Sequence, residues 1–110
     1  YNGSLPGVLK NAVDWVSRPR GAAAIAGKPA AVIGASGSPR GAQWAREDGV
    51  KVLKVAGASP LEDTVGVGSA FQAFHDGRLL DSELDGALRT LVADLVDAVQ
   101  RTSDSDRPAA

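Results

Sequence analysis

The sequence predicts an α/β fold of the doubly wound type, in which parallel strands are covered by helices. Helical patterns alternate along the chain with short apolar runs, in the order helix, strand, helix, strand, helix. The first of these runs, residues 29–35, is continuously apolar and lies between proline and glycine signals. Such a run is typical of a strand that is buried on both faces of a parallel sheet.

Composition limits the classes of function. The chain has 110 residues, 44% of them hydrophobic and 23% charged, with a net charge of -1, as expected of one globular unit. Lysine and arginine are scattered, so we expect no nucleic-acid partner. No apolar run reaches the roughly 18 residues that cross a bilayer, so we expect no membrane partner. The absence of cysteine excludes thiolate chemistry and fits a cytoplasmic protein.

The first helix is predicted over residues 5–17, where apolar residues recur at steps of three and four. Ser4 is the expected N-cap, and Arg18-Pro19 ends the pattern. Residues 34–41 form a glycine-rich turn after the apolar strand. This turn leads into a second helix over residues 40–55, in which Gly49 costs about 1 kcal/mol relative to alanine.

The second half of the chain contains a weaker strand pattern at residues 64–68. Residues 71–78 are predicted as a loop with a turn at Asp76-Gly77. The last helix begins after Asp81, its expected N-cap, and its apolar stripe continues to about Arg101. We therefore expect residues 1–101 to belong to a single domain and residues 102–110 to form a flexible tail.

Taken one at a time, the candidate functional residues also have ordinary structural explanations. Asn2-Gly3-Ser4 is a common turn before a helix. The turn at residues 34–41 lacks the Gly-Lys-Ser/Thr of a phosphate-binding P-loop, and serine at position 38 argues against a hydrolase nucleophile at Ser36. His75 is expected in solvent, no metal site is expected, and Trp15 and Trp44 are expected to pack against helices or a subunit. No catalytic side chain is predicted.

A longer motif changes this interpretation. Residues 1–15, Y-N-G-S-L-P-G-V-L-K-N-A-V-D-W, resemble the motif P-E-Y-N-x-S-x-P-G-x-L-K-N-A-x-D-W of the NADPH-dependent FMN reductase family, whose members are flavodoxin-like flavoproteins. The resemblance continues through residues 27–36, through Gly41-Ala42 and through residues 74–79. It therefore extends over nearly the whole chain.

The resemblance implies a flavodoxin-like sheet of strand order 2-1-3-4-5 with FMN at the carboxyl ends of the strands. This chain would supply the end of strand 3 onward. The N-terminal half, including the serine- and arginine-rich loop that holds the FMN phosphate, is expected to precede Tyr1. The implied cofactor-binding residues, along the edge of the flavin ring, are Tyr1, Asn2, Gly3, Ser4, Ala35, Ser36 and Gly37.

The implied activity is hydride transfer from NAD(P)H, the co-substrate, through FMN to a quinone, azo compound, free flavin or metal oxyanion. Relatives of this type form dimers or tetramers, so a homo-oligomer is expected. The chain alone is expected to be inactive. Two alternatives stay open: a non-catalytic half-domain that binds no flavin and acts by association, and a flavodoxin-like electron carrier without nicotinamide activity.

Overall fold

The computed structural model describes residues 1–105 and has the predicted alternation of helices and strands. Helix α1 spans Gly7–Val16, α2 spans Gln43–Ala56 and α3 spans Ser82–Ser105. Strand β1 spans Pro29–Ala35 and β2 spans Ser59–Val67. A short 3₁₀ helix, Ala70–Gln72, precedes a hairpin formed by β3, Phe74–His75, and β4, Arg78–Leu79. The α/β class and the first strand are confirmed.

The two long strands pair in parallel, as predicted. Pro29 lies opposite Ser59 at one end of the pair and Ala35 lies opposite Val67 at the other. A register shift falls between Ala30 and Val32 on β1, where the β2 strand bulges. Strand β2 therefore begins at Ser59 rather than at residue 64, because the bulge accommodates the proline and charged residues that obscured its pattern.

Helices α2 and α3 both contact the strand pair. Gly49 lies where α2 meets the sheet. A Cβ atom added there would be 3.3 Å from Cγ1 of Val32 and 3.4 Å from Cδ2 of Leu5. The glycine that lowers helix propensity thus allows α2 to approach both β1 and the start of the chain closely.

The buried core is small. Within residues 1–105, the buried hydrophobic side chains are Val50, Val65 and Leu91. Ile33 on β1 is 63% exposed, so within the described residues this strand is not covered on both faces. Periodicity alone cannot reveal this, because it reports which side chains are apolar and not whether a neighbour is present to cover them.

The helix ends correct two expectations and confirm a third. Helix α1 has Pro6 at its N-cap and no side-chain cap, so the assignment of Ser4 as the cap is wrong. Asp81 caps α3 as predicted, since its Oδ1 accepts hydrogen bonds from the amides of Glu83 at 2.9 Å and Leu84 at 3.2 Å. Helix α3 continues beyond the predicted boundary, where Thr102 Oγ1 donates to the Ala98 carbonyl at 2.9 Å.

The expected flexible tail is therefore helical over residues 102–105, and residues 106–110 lie outside the described residues. The predicted turn at Asp76-Gly77 is confirmed by φ angles of 48° and 75°, and it joins the two strands of the hairpin. In the described part of the chain, none of the helices is long and apolar enough to cross a membrane.

Candidate functional site

Two turns face each other across a groove. We name residues 1–4 the first turn and residues 36–41, which follow the carboxyl end of β1, the second turn. The groove has a volume of about 740 Å³ and is lined by five of the predicted residues, namely Tyr1, Ser4, Ala35, Ser36 and Gly37. The other two, Asn2 and Gly3, line a smaller groove of about 260 Å³ that also includes Tyr1, Ser4 and Ser36.

The first turn is closed by two backbone hydrogen bonds: the Ser4 amide donates to the Tyr1 carbonyl at 3.1 Å, and the Tyr1 amino group donates to the Ser4 carbonyl at 3.1 Å. Asn2 and Gly3, at its centre, have positive φ angles of 53° and 78°. This conformation is unfavourable for most side chains and explains a glycine at position 3. Among the described residues, the amides of Asn2 and Gly3 have no acceptor, so both can donate to a ligand.

Helix α2 holds the first turn in place. The Ser4 hydroxyl donates to the Asp48 carboxylate, which also pairs with Lys51 at 2.8 Å. The hydrogen bond from Lys51, followed by that from Ser4, lowers the pKa of Asp48 below its usual value of 3.8. A Cβ atom at Gly3 would lie 3.1 Å from Cε3 of Trp44, so the indole limits what fits at this position.

The second turn is held mainly by backbone hydrogen bonds. The Ser36 amide donates to the Val67 carbonyl, the Ser69 amide to the Ser38 carbonyl and the Ala70 amide to the Ser36 carbonyl, each at 2.9 Å. These bonds join the turn to the end of β2 and to the 3₁₀ helix. The positions of its groups are therefore fixed by the parallel sheet.

These bonds determine which groups of Ser36 are available to a ligand. The amide is already used by Val67. The Ser36 Oγ accepts from the Ser38 amide at 3.1 Å, which leaves the hydroxyl proton for another acceptor. The next amide, that of Gly37, has no acceptor among the described residues. The second turn thus presents a hydroxyl and one amide.

Phe71 is a groove residue that the sequence analysis missed. A Cβ atom at Gly37 would lie 2.8 Å from its Cε2 atom, so the ring lies directly against the second turn. The side chain is 94% exposed and lines the larger groove. Its position in the loop after the second strand could have indicated this role, because the carboxyl ends of parallel strands lie at one edge of the sheet.

The charge around the grooves is positive. Among residues 1–105, no carboxylate lines either groove. The Arg40 guanidinium lies 5.4 Å from the ring centroid of Trp44, and both residues line the smaller groove. Helices α1 and α2 begin shortly after the first and second turns, so two helix N-termini add partial positive charge. The site suits a ligand with a planar face and acceptor atoms along one edge.

The remaining candidates lie elsewhere. His75 is exposed in the hairpin, with Nε2 3.4 Å from Oδ2 of Asp76. Over residues 1–105, the structure contains no group of three or more histidine, aspartate or glutamate side chains that could hold a metal ion. Trp15 is 76% exposed on α1, away from both grooves.

Comparison with known proteins identifies a family and several relatives. Residues 1–72 match the model of the family described as NADPH-dependent FMN reductase. The chain is 40% identical over 102 residues to an NAD(P)H-dependent FMN reductase of Pseudomonas aeruginosa, an alignment that covers 91% of this chain and 52% of the relative. A 36-residue stretch is 64% identical to a 2-hydroxy-1,4-benzoquinone reductase of Burkholderia sp, covering 33% of this chain and 20% of that protein.

Among solved structures, the chain is similar to FerB of Paracoccus denitrificans, a flavoenzyme NAD(P)H:(acceptor) oxidoreductase. The TM-score is 0.76 at 34% sequence identity, over 92% of this chain and 57% of FerB. The chain thus spans about half the length of the relatives that it matches over most of its own length.

Proposed function

The chain belongs to the NADPH-dependent FMN reductase family, and on that premise we propose that its two turns bind the ring edge of FMN in an NAD(P)H-dependent oxidoreductase. The residues that we assign to FMN are Tyr1, Asn2, Gly3, Ser4, Ala35, Ser36 and Gly37. One observation carries the proposal. Hydrogen-bond donors that have no acceptor within residues 1–105 come from two different turns and meet at adjoining grooves.

These donors match the requirements of a flavin ring. The amides of Asn2, Gly3 and Gly37 have no protein acceptor within residues 1–105, and the Ser36 hydroxyl proton is also available. Flavin carries acceptor atoms along the pyrimidine edge of its ring, where negative charge accumulates on reduction. Backbone amides and helix N-termini stabilise such charge, and no carboxylate in the described part of the chain lines the grooves to oppose it.

When bound, FMN supplies the chemistry by accepting hydride from the nicotinamide and passing electrons to the acceptor. The protein's part is to bind, orient and exclude water. Glycine at position 3 keeps the backbone accessible, and Phe71 provides an exposed apolar face beside the second turn. Because hydride transfer depends mainly on how two rings are stacked, this scheme needs no acid or base from the groove.

We further propose a quinone as the acceptor. The Burkholderia relative is named a 2-hydroxy-1,4-benzoquinone reductase, and its match has the highest identity of those reported above. A flat ring fits a groove with apolar and aromatic lining, such as that formed by Ile33, Leu9 and Phe71. Azo compounds, free flavin and metal oxyanions are the other acceptors to compare.

Self-association in the cytoplasm is also part of the proposal. Helix α1 exposes Val8 at 85% and Trp15 at 76%, on a helix that has no buried residue of its own. An exposed apolar helix is the kind of surface that a second subunit covers. We propose that this helix contributes to a homo-oligomer interface.

The decisive experiment uses a chimera in which this chain replaces the matching segment of the P. aeruginosa reductase. We expect the chimera to purify with bound FMN, to quench FMN fluorescence stoichiometrically and to oxidise NADPH when a benzoquinone is present. The unaltered reductase is the positive control. The 110-residue chain, titrated in parallel, is expected to bind FMN weakly, because the family resemblance places the loop that holds the FMN phosphate before Tyr1.

Each alternative gives a different result. A folded chimera that binds no FMN would contradict the flavin assignment and favour an association module. A chimera that binds FMN but does not oxidise NADPH would indicate an electron carrier. Tight FMN binding by the short chain alone would show that the cofactor contacts extend beyond the ring edge.

A further inference from the structure

Arg46 is a polar side chain inside the fold that the proposed function does not use. It lies in the first half of α2 and is only partly exposed. Its Nε donates to the Gly41 carbonyl at 2.8 Å and its Nη1 to Thr64 Oγ1 at 2.6 Å. Its Nη2 reaches the Arg40 carbonyl at 3.4 Å. One side chain therefore joins α2, the second turn and β2.

The space for this side chain is created by a pair of glycines. Gly34 on β1 and Gly66 on β2 lie opposite each other in the parallel register. A Cβ atom at Gly34 would be 3.2 Å from Cγ of Arg46, and one at Gly66 would be 2.5 Å from its Nε atom. Glycine weakens a strand interior, so a paired glycine site needs a compensating contact, which the arginine provides by lying across both strands.

The bonding pattern of Arg46 differs from that of an ordinary surface arginine. None of the ion pairs in the described residues includes it, so its donors serve a hydroxyl and the two carbonyls of the second turn. Hydrogen bonds from a charged donor are stronger than neutral ones, and the planar guanidinium directs several of them at fixed angles. A lysine could reach one of these acceptors but could not hold all three.

We propose that Arg46 is a positioning residue that fixes the distance between the second turn and the first turn. At this distance, Ser36 and Gly37 can contact FMN. This inference rests on the proposed function for its cofactor. Helix α2 then holds both sides of the site, with Asp48 bound to the first turn and Arg46 bound to the second. Arg46 also lines the larger groove and adds positive charge to it.

The test compares Arg46→Met and Arg46→Lys with Arg89→Met, which removes an exposed arginine of α3 paired only with Asp85. Amide hydrogen exchange is measured in the chain and in the FMN-free chimera. In both Arg46 variants, we expect the hydrogen-bonded amides of the second turn, those of Ser36, Ser38, Arg40 and Gly41, to exchange about tenfold faster, with the first turn unchanged. Arg89→Met should leave both turns unchanged.

FMN affinity is then measured for the same variants in the chimera by fluorescence quenching. The FMN dissociation constant is expected to rise about tenfold for Arg46→Met and nearly as much for Arg46→Lys. Lysine keeps the positive charge but lacks the planar guanidinium that holds the turn. Thr64→Val, which removes one of the three acceptors, should raise it about threefold. If the circular dichroism spectra show that the Arg46 variants are unfolded, Thr64→Val provides the test instead.

The outcomes separate the two proposals. Unchanged exchange in residues 36–41 would overturn the positioning role, and so would full rescue by lysine. Faster exchange with an unaltered dissociation constant would show that the turn does not position FMN, while leaving the proposed function intact. If the unsubstituted chimera binds no FMN, the proposed function fails and the cofactor role of Arg46 fails with it, whereas the exchange data still decide whether Arg46 holds the turn.

Discussion

The two turns that line the grooves are held by different means. Three backbone hydrogen bonds join the second turn to the end of β2 and to the 3₁₀ helix, and the guanidinium of Arg46 donates a further bond to its Gly41 carbonyl. The first turn has two internal backbone bonds, both between Tyr1 and Ser4, and is attached to the rest of the fold through the Ser4 hydroxyl and Asp48. In the second turn, the Ser36 amide is bonded to the sheet. In the first turn, the two central amides have no acceptor among the described residues.

This difference suggests a division of roles. A turn bonded into the sheet has fixed coordinates but few donors left for a ligand. A turn held by one solvent-accessible carboxylate can adjust, and it offers more backbone donors. Substitutions in the second turn should therefore reduce stability, whereas substitutions in the first turn should mainly reduce ligand affinity.

The largest expected effect is on stability, from Gly66→Ala. The added methyl group would meet Nε and Cζ of Arg46 and the carbonyl oxygen of Gly41, so the second turn must move away from the sheet. We expect a loss of about 3 kcal/mol in the free energy of unfolding, measured by urea denaturation. Gly86→Ala in α3 is the control, because nothing lies within 4 Å of the added atom, and it should gain roughly 0.5–1 kcal/mol. A loss below about 1 kcal/mol for Gly66→Ala would show that the second turn is not rigid.

The next effect is on FMN affinity, from Gly3→Val in the chimera. The backbone φ of 78° disfavours a branched residue, and the side chain would enter the space beside Trp44. We expect the FMN dissociation constant to rise at least tenfold, about 1.4 kcal/mol, as measured by fluorescence quenching. His75→Ala, at an exposed hairpin residue, should leave it unchanged. Equal constants for the two variants would remove the first turn from the cofactor site.

A smaller effect on FMN affinity is expected from Ser36→Ala. A second variant distinguishes the contact of the Ser36 hydroxyl with FMN from its hydrogen bond within the turn. Ser36→Ala removes both the free hydroxyl proton and the acceptor for the Ser38 amide. Ser38→Ala removes a similar acceptor, that of the Arg40 amide at 3.1 Å, but keeps the Ser36 hydroxyl. We expect Ser36→Ala to weaken FMN binding about fivefold, corresponding to about 1 kcal/mol, and Ser38→Ala to have less effect. Equal losses would mean that the hydroxyl does not reach the flavin.

The smallest effect is the response of the first turn to acid. The pKa of Asp48 is lowered by Lys51 and Ser4, so its stabilising contribution is fully present above the ordinary value of 3.8 and is lost as the pH falls through the lower, folded-state pKa. Trp44 lies against Gly3, so its fluorescence in a Trp15→Phe background should report this change. Asp48→Asn should remove the part of the transition below pH 3.8. Identical titrations for the two proteins would show that Asp48 does not hold the first turn.

Local sequence signals predicted much of the fold. The boundaries of β1, the Asp81 cap of α3 and the turn at Asp76-Gly77 follow from preferences within a few neighbouring residues. Strand β2 was predicted too short, since its early part contains a proline and charged residues around a bulge. The end of α3 was placed too early, because polar side chains there bond back to the preceding helical turn.

Within the site, the motif at residues 1–15 pointed to the first turn, and the glycine-rich stretch pointed to the second. Phe71, Arg40 and Arg46 were not predicted as groove residues. Each is a common residue type in a short, unremarkable stretch, and each lines a groove because of where the parallel strands end. The assignment of the two turns to FMN stays a prediction.

The sequence by itself determined the order of the three helices and the two long strands, the parallel pairing that such an order requires and the family motif that begins the chain, but not the 3₁₀ helix or the hairpin. Only the tertiary structure decided what Ser4, Gly49 and Arg46 do. Ser4 bonds to a carboxylate 44 positions along the chain rather than capping its own helix. Arg46 finds its hydroxyl acceptor 18 positions along the chain, on a strand that pairs with the one before α2. Hydrophobic periodicity and capping preferences describe interactions within one or two helical turns, so contacts made by separate elements after they pack are not encoded in those patterns.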